Sequence, residues 1–279
     1  MVRPLFSCVV PVMGERPYFD AALASLRNQG MGEDLEVIVQ DGSGELFECS
    51  ECSIDRLREA GVAVRWEREP DKGQSDALNK GFAKAKGEWL FWLNADDVLM
   101  PGALRVVRDV VGRSSTSGED AAFPLCWVAG NQICIDERGR ILKCLRANGW
   151  HDGLYRHAVP HVNGPSAFFR RELFEKVGGF DTSLHVCMDW DLWIRFMKAG
   201  ARFRRVNEYL WAMRRWTGSK TQGDSRASEW HDKEVARMLA KNAFAVTRGG
   251  VLKLRLWRML DGSYLRGWID TMLMRGRTI

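Results

Sequence analysis

The sequence has no hydrophobic run long enough to cross a membrane, since none approaches the roughly 18 to 20 apolar residues that a spanning helix needs. The apolar N-terminal segment at residues 6–11 is also too short for the core of a signal peptide. We therefore expect a cytoplasmic protein. The seven cysteines are odd in number and scattered, which indicates reduced thiols rather than a disulfide framework.

A glycine-rich GxGxxG turn is missing after the first apolar segment, which disfavours a dinucleotide site of the usual Rossmann kind. What is present is an ordinary globular composition, with 46% hydrophobic and 28% charged residues in a chain of 279. A chain of this length and composition can bury a full core as one large domain or two fused halves.

Apolar strands and helices alternate along the first hundred residues. The strands are predicted at residues 6–11, 35–40, 62–66 and 89–93, and the helices at 18–28, 53–60 and 76–84, the last with Ser75 as its N-cap. This alternation predicts an α/β fold with a parallel sheet, right-handed crossovers and covering helices.

Carboxylates follow two of these strands directly. Asp41 ends the second strand, and Asp96 and Asp97 follow the strand at 89–93. Because the ligand crevice of an open α/β sheet lies outside the carboxyl ends of its strands, such a pair can hold a divalent cation against phosphate oxygens. A turn or a helix N-cap would suit Asp96 and Asp97 equally well, so these residues alone leave both interpretations open.

Six motifs follow one another in a characteristic order. They are CVVPV at 8–12, VQDGS at 39–43, EPDKGQSDALNKG at 69–81, LNADD at 93–97, FFRRELFEKVGGFD at 168–181 and MDWDLWIR at 188–195. In this order they resemble glycosyltransferase family 2, over roughly residues 5–221. The resemblance implies the GT-A fold, with a Rossmann-like, mostly parallel central sheet flanked by helices, and an inverting enzyme that uses a nucleotide sugar.

The resemblance also implies which residues bind the donor. Asp41 matches the acidic residue that accepts a hydrogen bond from the base. The backbone that would line the same base pocket belongs to Pro11, Val12 and Met13. The positions that would flank the nucleotide and sugar are Asp71, Lys72, Gly73, Asp76 and Asn79, although Asn79 would also suit a polar helix surface.

A DxD-type metal site is implied at the end of the strand at 89–93. Asn94 takes the place of the usual first aspartate, while Asp96 and Asp97 would contact ribose and a Mn²⁺ or Mg²⁺ ion that bridges the diphosphate. The division of roles between Asp96 and Asp97 stays open. In the late loop at 214–220, Trp216 takes the place of a histidine that often lies near the metal, so the identity of a third metal ligand stays open.

Inversion requires a general base that removes the proton of the acceptor hydroxyl. By resemblance Asp189 is this base, and Asp191 is its rival. Without the resemblance, Asp189 would more simply be the N-cap of a helix at residues 192–199.

Three segments are predicted along the chain. Residues 1–112 form the nucleotide-sugar-binding half, residues 113–240 form the acceptor-binding and catalytic-base half of the same GT-A domain, and residues 241–279 form a basic helical extension. The resemblance implies a UDP-sugar donor and a glycan or lipid-linked acceptor, in the synthesis of a cell-surface polysaccharide or glycolipid.

Two alternatives to this function stay open. A binding or scaffold subunit that has lost catalysis would have no need of Asp189 as a base. A nucleotidyltransferase would normally carry a phosphate loop near its first strand, which residues 13–16 match poorly.

The positive charge is concentrated in the extension. Residues 241–279 hold eight basic residues against Asp261 and Asp270, a net charge of +6 in a chain whose total is +5. Apolar residues recur every four positions from Leu256 to Met272, which predicts an amphipathic helix that Gly262 and Gly267 weaken. Residues 248–279 would suit an anionic membrane at its inner face, or else packing on the domain or in a homodimer. No nucleic acid partner is expected.

Overall fold

The structure, a computed structural model, describes residues 3–14, 16–43, 50–116, 125–149, 162–219 and 225–279. Within these ranges, nine strands form one sheet with helices packed on it. The predicted α/β fold with a C-terminal helical extension is confirmed.

The strands and helices are numbered in chain order. The strands are β1 Phe6–Val12, β2 Leu35–Asp41, β3 Ala63–Arg68, β4 Trp89–Trp92, β5 Val98–Leu99, β6 Leu125–Ile135, β7 Ile141–Leu145, β8 Ala167–Arg170 and β9 Arg202–Arg214. The helices are α1 Phe19–Arg27, α2 Ser50–Glu59, α3 Gln74–Lys84, α4 Ala103–Thr116, α5 Arg171–Lys176, α6 Met188–Lys198, α7 Ser225–Lys241, α8 Arg248–Leu260 and α9 Ser263–Met274. Short 3-10 turns occupy Gly32–Asp34 and Gly164–Ser166.

The first half of the sheet is parallel. Its strands lie in the order β3, β2, β1, β4, and all three pairings are parallel. Every residue of β2 and β4 is buried, as strands covered by helices on both faces require. Val12 and Asp41 are partners in the register of β1 and β2, so the carboxyl ends of these strands meet at one edge, as the alternation predicts.

The second half of the sheet is mixed. Strand β8 pairs antiparallel with both β4 and β6, whereas the long strand β9 runs parallel to β6. The predicted parallel arrangement therefore holds for the first four strands, and reversals are introduced in the second half. The two-residue strand β5 follows Asp97 and pairs antiparallel with β9, with Val98 opposite Ala212. This pairing carries the end of β9 to the carboxylates that follow β4.

Helix α2 begins at Ser50, three residues before its predicted start, and two helix starts near the predicted site also differ from the prediction. Helix α3 begins at Gln74 with Gly73 at its N-cap in a left-handed conformation (φ +121°), which glycine tolerates. Ser75 therefore lies inside the helix, and its hydroxyl donates to the Leu184 carbonyl oxygen at 2.8 Å instead of capping. Helix α6 begins at Met188, so Asp189 lies in its first turn and is not its N-cap.

The core has one layer on each face of the sheet. On the face covered by α3 and α6, aromatic side chains stack from strand to helix. Trp193 of α6 stacks on Trp127 of β6 with ring centroids 4.9 Å apart and on Trp92 of β4 at 6.3 Å. Because these rings are fully buried, they fix α6 and its first turn against the end of β4.

The extension is a pair of helices rather than one weakened helix. Gly262 adopts φ +74° between α8 and α9 and breaks the predicted helix there, while Gly267 lies inside α9. Helix α4 continues to Thr116, four residues beyond the predicted end of the nucleotide half. No helix among the described residues is long and apolar enough to cross a membrane.

Candidate active site

Asp41 provides a buried carboxylate at the end of β2. It is fully buried, and its Oδ1 accepts hydrogen bonds from the Ser43 backbone N–H at 2.9 Å and from the Ser43 hydroxyl at 2.6 Å. Its Oδ2 is also buried and has no hydrogen-bond partner among the described residues. A buried acceptor without a donor is costly unless a ligand or water supplies one.

The end of β1 lies beside Asp41. The Gly42 N–H donates to the Val12 carbonyl oxygen at 3.0 Å, which joins the two strand ends. Pro11 and Val12 are the last residues of β1, whereas the Met13 side chain beyond them is half exposed. The structure thus brings the predicted base-pocket residues together.

The loop at Asp71 packs closely against the same strand end. A Cβ atom added to Gly42 would lie 1.9 Å from Asp71 Oδ2, so a larger residue here would have to displace the Asp71 carboxylate. Asp71 Oδ1 accepts from the Gly73 N–H at 2.8 Å, which closes the turn into α3. Burial raises the pKa of Asp71, and the nearby carboxylates of Asp76 and Asp41 raise it further. Asp41 and Asp71 therefore form one acidic edge.

Two predicted donor residues on α3 are engaged by other parts of the protein. Asp76 accepts from the Lys72 N–H at 3.0 Å and pairs with Lys80 at 3.3 Å. Asn79 accepts from the Phe180 N–H at 2.8 Å and donates to the Phe180 carbonyl oxygen at 2.9 Å. Asn79 thus holds the loop after α5 in place, while the Lys72 side chain is exposed.

Asp96 and Asp97 have different surroundings. Asp97 is 2% exposed, and its two oxygens accept from the Arg214 backbone N–H at 2.9 Å and from Asn94 Nδ2 at 2.8 Å. Asp96 is only partly buried, and its Oδ2 accepts from the Trp216 indole N–H at 2.8 Å. Asp96 Oδ1 accepts no bond from any described residue. The structure therefore leaves Asp96 the more available of the two carboxylates.

Asn94 connects the carboxylate pair to α3. Its Oδ1 accepts from Gln74 Nε2 at 2.8 Å while its Nδ2 donates to Asp97. Burial raises the pKa of Asp97 to about 8, and the adjacent Asp96 carboxylate contributes to the rise. A cation bound at Asp96 would favour the ionised form of both groups.

Arg214 supports this strand end from behind. It is 7% exposed, its Nε donates to the Asp96 carbonyl oxygen at 3.1 Å, and its guanidinium lies 4.4 Å from the ring centroid of Tyr18. Its Nη1 donates to the carbonyl oxygens of Asp136 and Glu137. Arg214 therefore holds the β6–β7 turn and Asp96 in place.

Asp189 lies on the first turn of α6. Its carboxylate is partly buried and accepts from the Trp190 N–H at 2.9 Å and the Gly164 N–H at 3.2 Å. Asp191, by contrast, is fully buried, with Arg195 at 2.7 Å and Asn242 at 3.1 Å. Of the two carboxylates, Asp189 is the less buried.

Glu234 of α7 is a residue that sequence reasoning missed. It is 6% exposed, and its carboxylate accepts three backbone N–H bonds from the segment before α6, from His185 at 2.8 Å, Val186 at 2.7 Å and Cys187 at 3.3 Å. Backbone N–H groups at the start of a helix favour an anionic acceptor. Glu234 therefore anchors the helix that carries Asp189, and no local sequence pattern signals this pairing.

The described residues contain no group of three or more His, Cys, Asp or Glu side chains that could hold a metal by themselves. Mg²⁺ is often bound through one or two carboxylates and the phosphates of a nucleotide.

A comparison of the sequence with family profiles decides the family. The profile described as Glycosyl transferase family 2 matches residues 7–178, which contain Asp41, Asp96 and Asp97. The chain belongs to glycosyl transferase family 2. Asp189 and Glu234 lie beyond the matched residues, so their roles depend on the geometry described above.

Curated relatives of this family 2 protein are moderately similar. An uncharacterized glycosyltransferase of Rickettsia felis is 25% identical over 202 residues, which cover 70% of this chain and 32% of that protein. A PGL/p-HBAD biosynthesis glycosyltransferase of Mycobacterium bovis is 29% identical over 199 residues, which cover 70% of each protein. The chain thus spans about a third of the length of the first relative.

Solved structures show the same fold at low sequence identity. The mannosyltransferase PcManGT from Pyrobaculum calidifontis, in complex with GDP-Man and Mn²⁺, has a TM-score of 0.55 and 20% identity and covers 86% of this chain and 64% of its own. Residues 1–349 of S. aureus TarS, in complex with UDP-GlcNAc, have a TM-score of 0.55 and 16% identity and cover 91% of this chain and 77% of their own. The predicted GT-A fold is confirmed.

Proposed function

We propose that this protein is a metal-dependent, inverting glycosyltransferase that moves a sugar from a nucleotide sugar to a hydroxyl group. The observation that carries the proposal is the pair of unused acceptors at one sheet edge, the buried Oδ2 of Asp41 and Oδ1 of Asp96. A ring N–H of the nucleotide base can donate a hydrogen bond to Asp41 Oδ2. A cation that holds the diphosphate can bind Asp96 Oδ1.

The donor proposed is a UDP-sugar. Uracil and guanine both present a ring N–H that could donate to Asp41, and the two solved relatives named above hold GDP-Man and UDP-GlcNAc. The Pro11, Val12 and Met13 backbone would border the base. The exposed Lys72 side chain, beside Asp71, would meet the diphosphate or the sugar.

The residues present fit a divalent cation such as Mn²⁺ or Mg²⁺. Asp96 would hold it through the oxygen that Trp216 leaves unused, and Asp97 would stabilise the strand end from the interior. When bound, the cation acts as a Lewis acid that neutralises the charge of the departing nucleoside diphosphate. Whether Asp97 also ligates it stays a prediction.

The chemical step that we propose uses Asp189. Its carboxylate accepts the proton of the acceptor hydroxyl while the hydroxyl oxygen attacks the anomeric carbon, and the bond to the nucleoside diphosphate breaks on the opposite face. A single displacement of this kind inverts the anomeric configuration. The N–H bonds from Trp190 and Gly164 orient the carboxylate for this task.

The acceptor that we propose is a glycan or a lipid-linked glycan, in the synthesis of a cell-surface polysaccharide or glycolipid. A lipid-linked acceptor lies at a membrane surface. Residues 248–279 are the part of the chain proposed to meet the inner face of that membrane.

The proposal is tested by incubating the protein with UDP- and GDP-sugars and Mn²⁺, Mg²⁺ or EDTA, and measuring release of the nucleoside diphosphate. Metal-dependent release from one donor, with an inverted product once an acceptor is supplied, would support it. Tight nucleotide binding without hydrolysis or transfer to any acceptor tried would favour a binding subunit. Retained configuration would rule out Asp189 as the base of a single displacement.

A further inference from the structure

Helices α8 and α9 form a C-terminal hairpin that turns its apolar side chains outward. Leu260 is 83% exposed, and Leu265 and Trp268 are each 61% exposed. Leu256, Met259 and Met272 are at least half exposed on the same two helices. Exposed apolar area of this extent and continuity marks an interaction site in a folded protein.

The buried side of the hairpin is narrow and carries few large apolar side chains. Its buried residues are Gly250, Leu254, Arg258, Ser263 and Gly267, of which only Leu254 is a large apolar residue. A Cβ atom on Gly267 would lie 3.3 Å from the Cys144 carbonyl oxygen, so α9 approaches β7 more closely than a larger residue would easily allow. A surface helix normally packs its apolar side on the core. In this hairpin Leu254 and Met274 pack inward, but most of the large apolar side chains are exposed, so the outward side is suited to another contact.

Ion pairs and a hydrogen bond attach the hairpin to the sheet. Asp270 pairs with Arg146 at 2.7 Å and accepts a short hydrogen bond from the Tyr209 hydroxyl. Asp261 pairs with Arg205 at 3.1 Å. Because Tyr209 and Arg205 both belong to β9, which ends at Arg214 beside Asp96, a surface bound by the hairpin has a fixed orientation relative to the candidate active site.

The exposed charge of the hairpin is of one sign. Asp261 and Asp270 are the only acidic residues in positions 241–279, and both are paired with arginines of the domain. The exposed basic side chains around the apolar surface are those of Arg248, Lys253, Arg255, Arg266, Arg275 and Arg277. Two copies joined through this surface would bring like charges together, which disfavours association. Anionic lipid headgroups would neutralise the same charges.

We infer that the C-terminal hairpin is a rigid docking surface for an anionic membrane, with its apolar side chains in the headgroup and acyl boundary and its basic residues on the headgroups. The inference deepens the proposed function by bringing the crevice to a lipid-linked acceptor, and it rests on that function for this purpose only. Vesicle binding itself requires no catalysis.

The experiment uses the full chain and cosedimentation with vesicles of phosphatidylcholine, with and without phosphatidylglycerol. We expect binding to the anionic vesicles at low salt and weak binding to the neutral ones. The Lys253→Glu, Arg255→Glu variant should lose binding by roughly 30-fold or more, since each basic residue near an anionic surface contributes to affinity. The matched control is Arg105→Glu, Arg108→Glu on α4, which changes the net charge equally at exposed positions outside the hairpin and should bind as the wild type does.

The apolar contribution is tested by the Leu260→Gln, Leu265→Gln, Trp268→Gln variant, whose substituted side chains are exposed and should leave the fold intact. It should lose vesicle binding at least ~10-fold, with release of nucleotide from a soluble donor unchanged. Equal loss in the α4 control, or wild-type binding in the triple variant, would overturn the inference. So would a dimer in light scattering that the triple variant converts to monomers. If the wild type binds anionic vesicles but hydrolyses no nucleotide sugar, the proposed function is contradicted and the docking inference is not.

Discussion

The indole N–H of Trp216 donates a hydrogen bond of 2.8 Å to Oδ2 of Asp96. The indole is itself held by Tyr18, whose ring meets it edge-on with centroids 5.5 Å apart. In the pattern that this chain resembles, the position of Trp216 is often a histidine that lies near the metal. Trp216 instead donates a hydrogen bond to the Asp96 carboxylate. It therefore orients the one carboxylate with an unused oxygen at this strand end.

Trp216→Phe should weaken metal-dependent binding of a nucleoside diphosphate by about 10-fold. The phenyl ring keeps the packing on Tyr18 but removes the bond to Asp96, and groups that orient metal ligands commonly contribute to affinity by this order. Isothermal titration calorimetry with UDP and Mn²⁺ measures it. Tyr18→Phe, which leaves the bond to Asp96 in place, is the control. Unchanged affinity in Trp216→Phe would show that Asp96 needs no such orientation.

The unequal surroundings of the carboxylate pair predict unequal losses. Asp96→Asn should reduce metal-dependent UDP affinity by on the order of 100-fold, since it removes the charge of the less buried carboxylate, the one with an unused oxygen. Asp97→Asn should change that affinity only a few-fold, because Asp97 is buried and its oxygens bond to the protein. The same titrations decide it, with thermal denaturation to check folding. Equal losses in two folded variants would mean that both carboxylates ligate the metal.

The sequence predicts the parallel half of the sheet well because strands buried on both faces are continuous apolar runs. It also predicts that Asp41 and Asp96 meet at one edge, since both follow parallel strands. It does not predict the bonds from Trp216 to Asp96 or from Glu234 to the start of α6. These join residues 120 and 47 to 49 positions apart, and no periodicity or turn rule relates such pairs. Asn79 is predicted to lie beside the nucleotide sugar. Its side-chain oxygen instead accepts a hydrogen bond from the Phe180 N–H, a pairing that the sequence does not predict.

The C-terminal hairpin shows the same limit. Gly262 signals a break in the helix, and composition alone shows that the segment is apolar and basic. Which side faces the domain depends on the partners of Asp261 and Asp270, which are Arg205 and Arg146. A helical pattern identifies an apolar side without saying what it packs on, because the same pattern serves a core, a partner or a membrane.

Asp189 and Asp191 should separate catalysis from stability. Asp189→Asn should lower kcat by roughly 10² to 10⁴ with donor affinity unchanged, as expected when a general base is lost. Asp191→Asn should mainly lower the melting temperature, because Asp191 is fully buried and paired with Arg195 at 2.7 Å. Steady-state kinetics and thermal denaturation of both variants test this. A larger fall in kcat for a folded Asp191→Asn would reverse the assignment of the base.

The attachment of the hairpin should weaken in acid. Burial opposes ionisation of Asp270, but hydrogen bonds from Arg146 and Tyr209 outweigh it and lower its pKa. The stability that ionised Asp270 contributes is therefore fully present above the pKa of this carboxyl in the unfolded chain, about 4. It is lost as the pH falls through the lower pKa that the carboxyl has in the folded protein. Asp270→Asn should unfold more easily at pH 7, by on the order of 2 kcal/mol. The difference from wild type should shrink towards pH 3 in denaturant titrations, and a constant difference would contradict the ion pair.

Glu234 should act on turnover through the position of Asp189. In Glu234→Gln one oxygen that accepts an N–H of the 185–187 segment becomes an amide group that cannot, so the start of α6 loses an anchor. Displacement of a catalytic group by about 1 Å can reduce turnover by roughly 10²-fold. We expect kcat to fall 10- to 100-fold while the KM for the donor stays within about 2-fold, because most of the residues proposed to bind the donor lie at the ends of β1, β2 and β4. Lys233→Gln, an exposed neighbour on the same helix, is the control and should match wild type. A purely structural role would instead lower the melting temperature and leave kcat of the folded fraction unchanged.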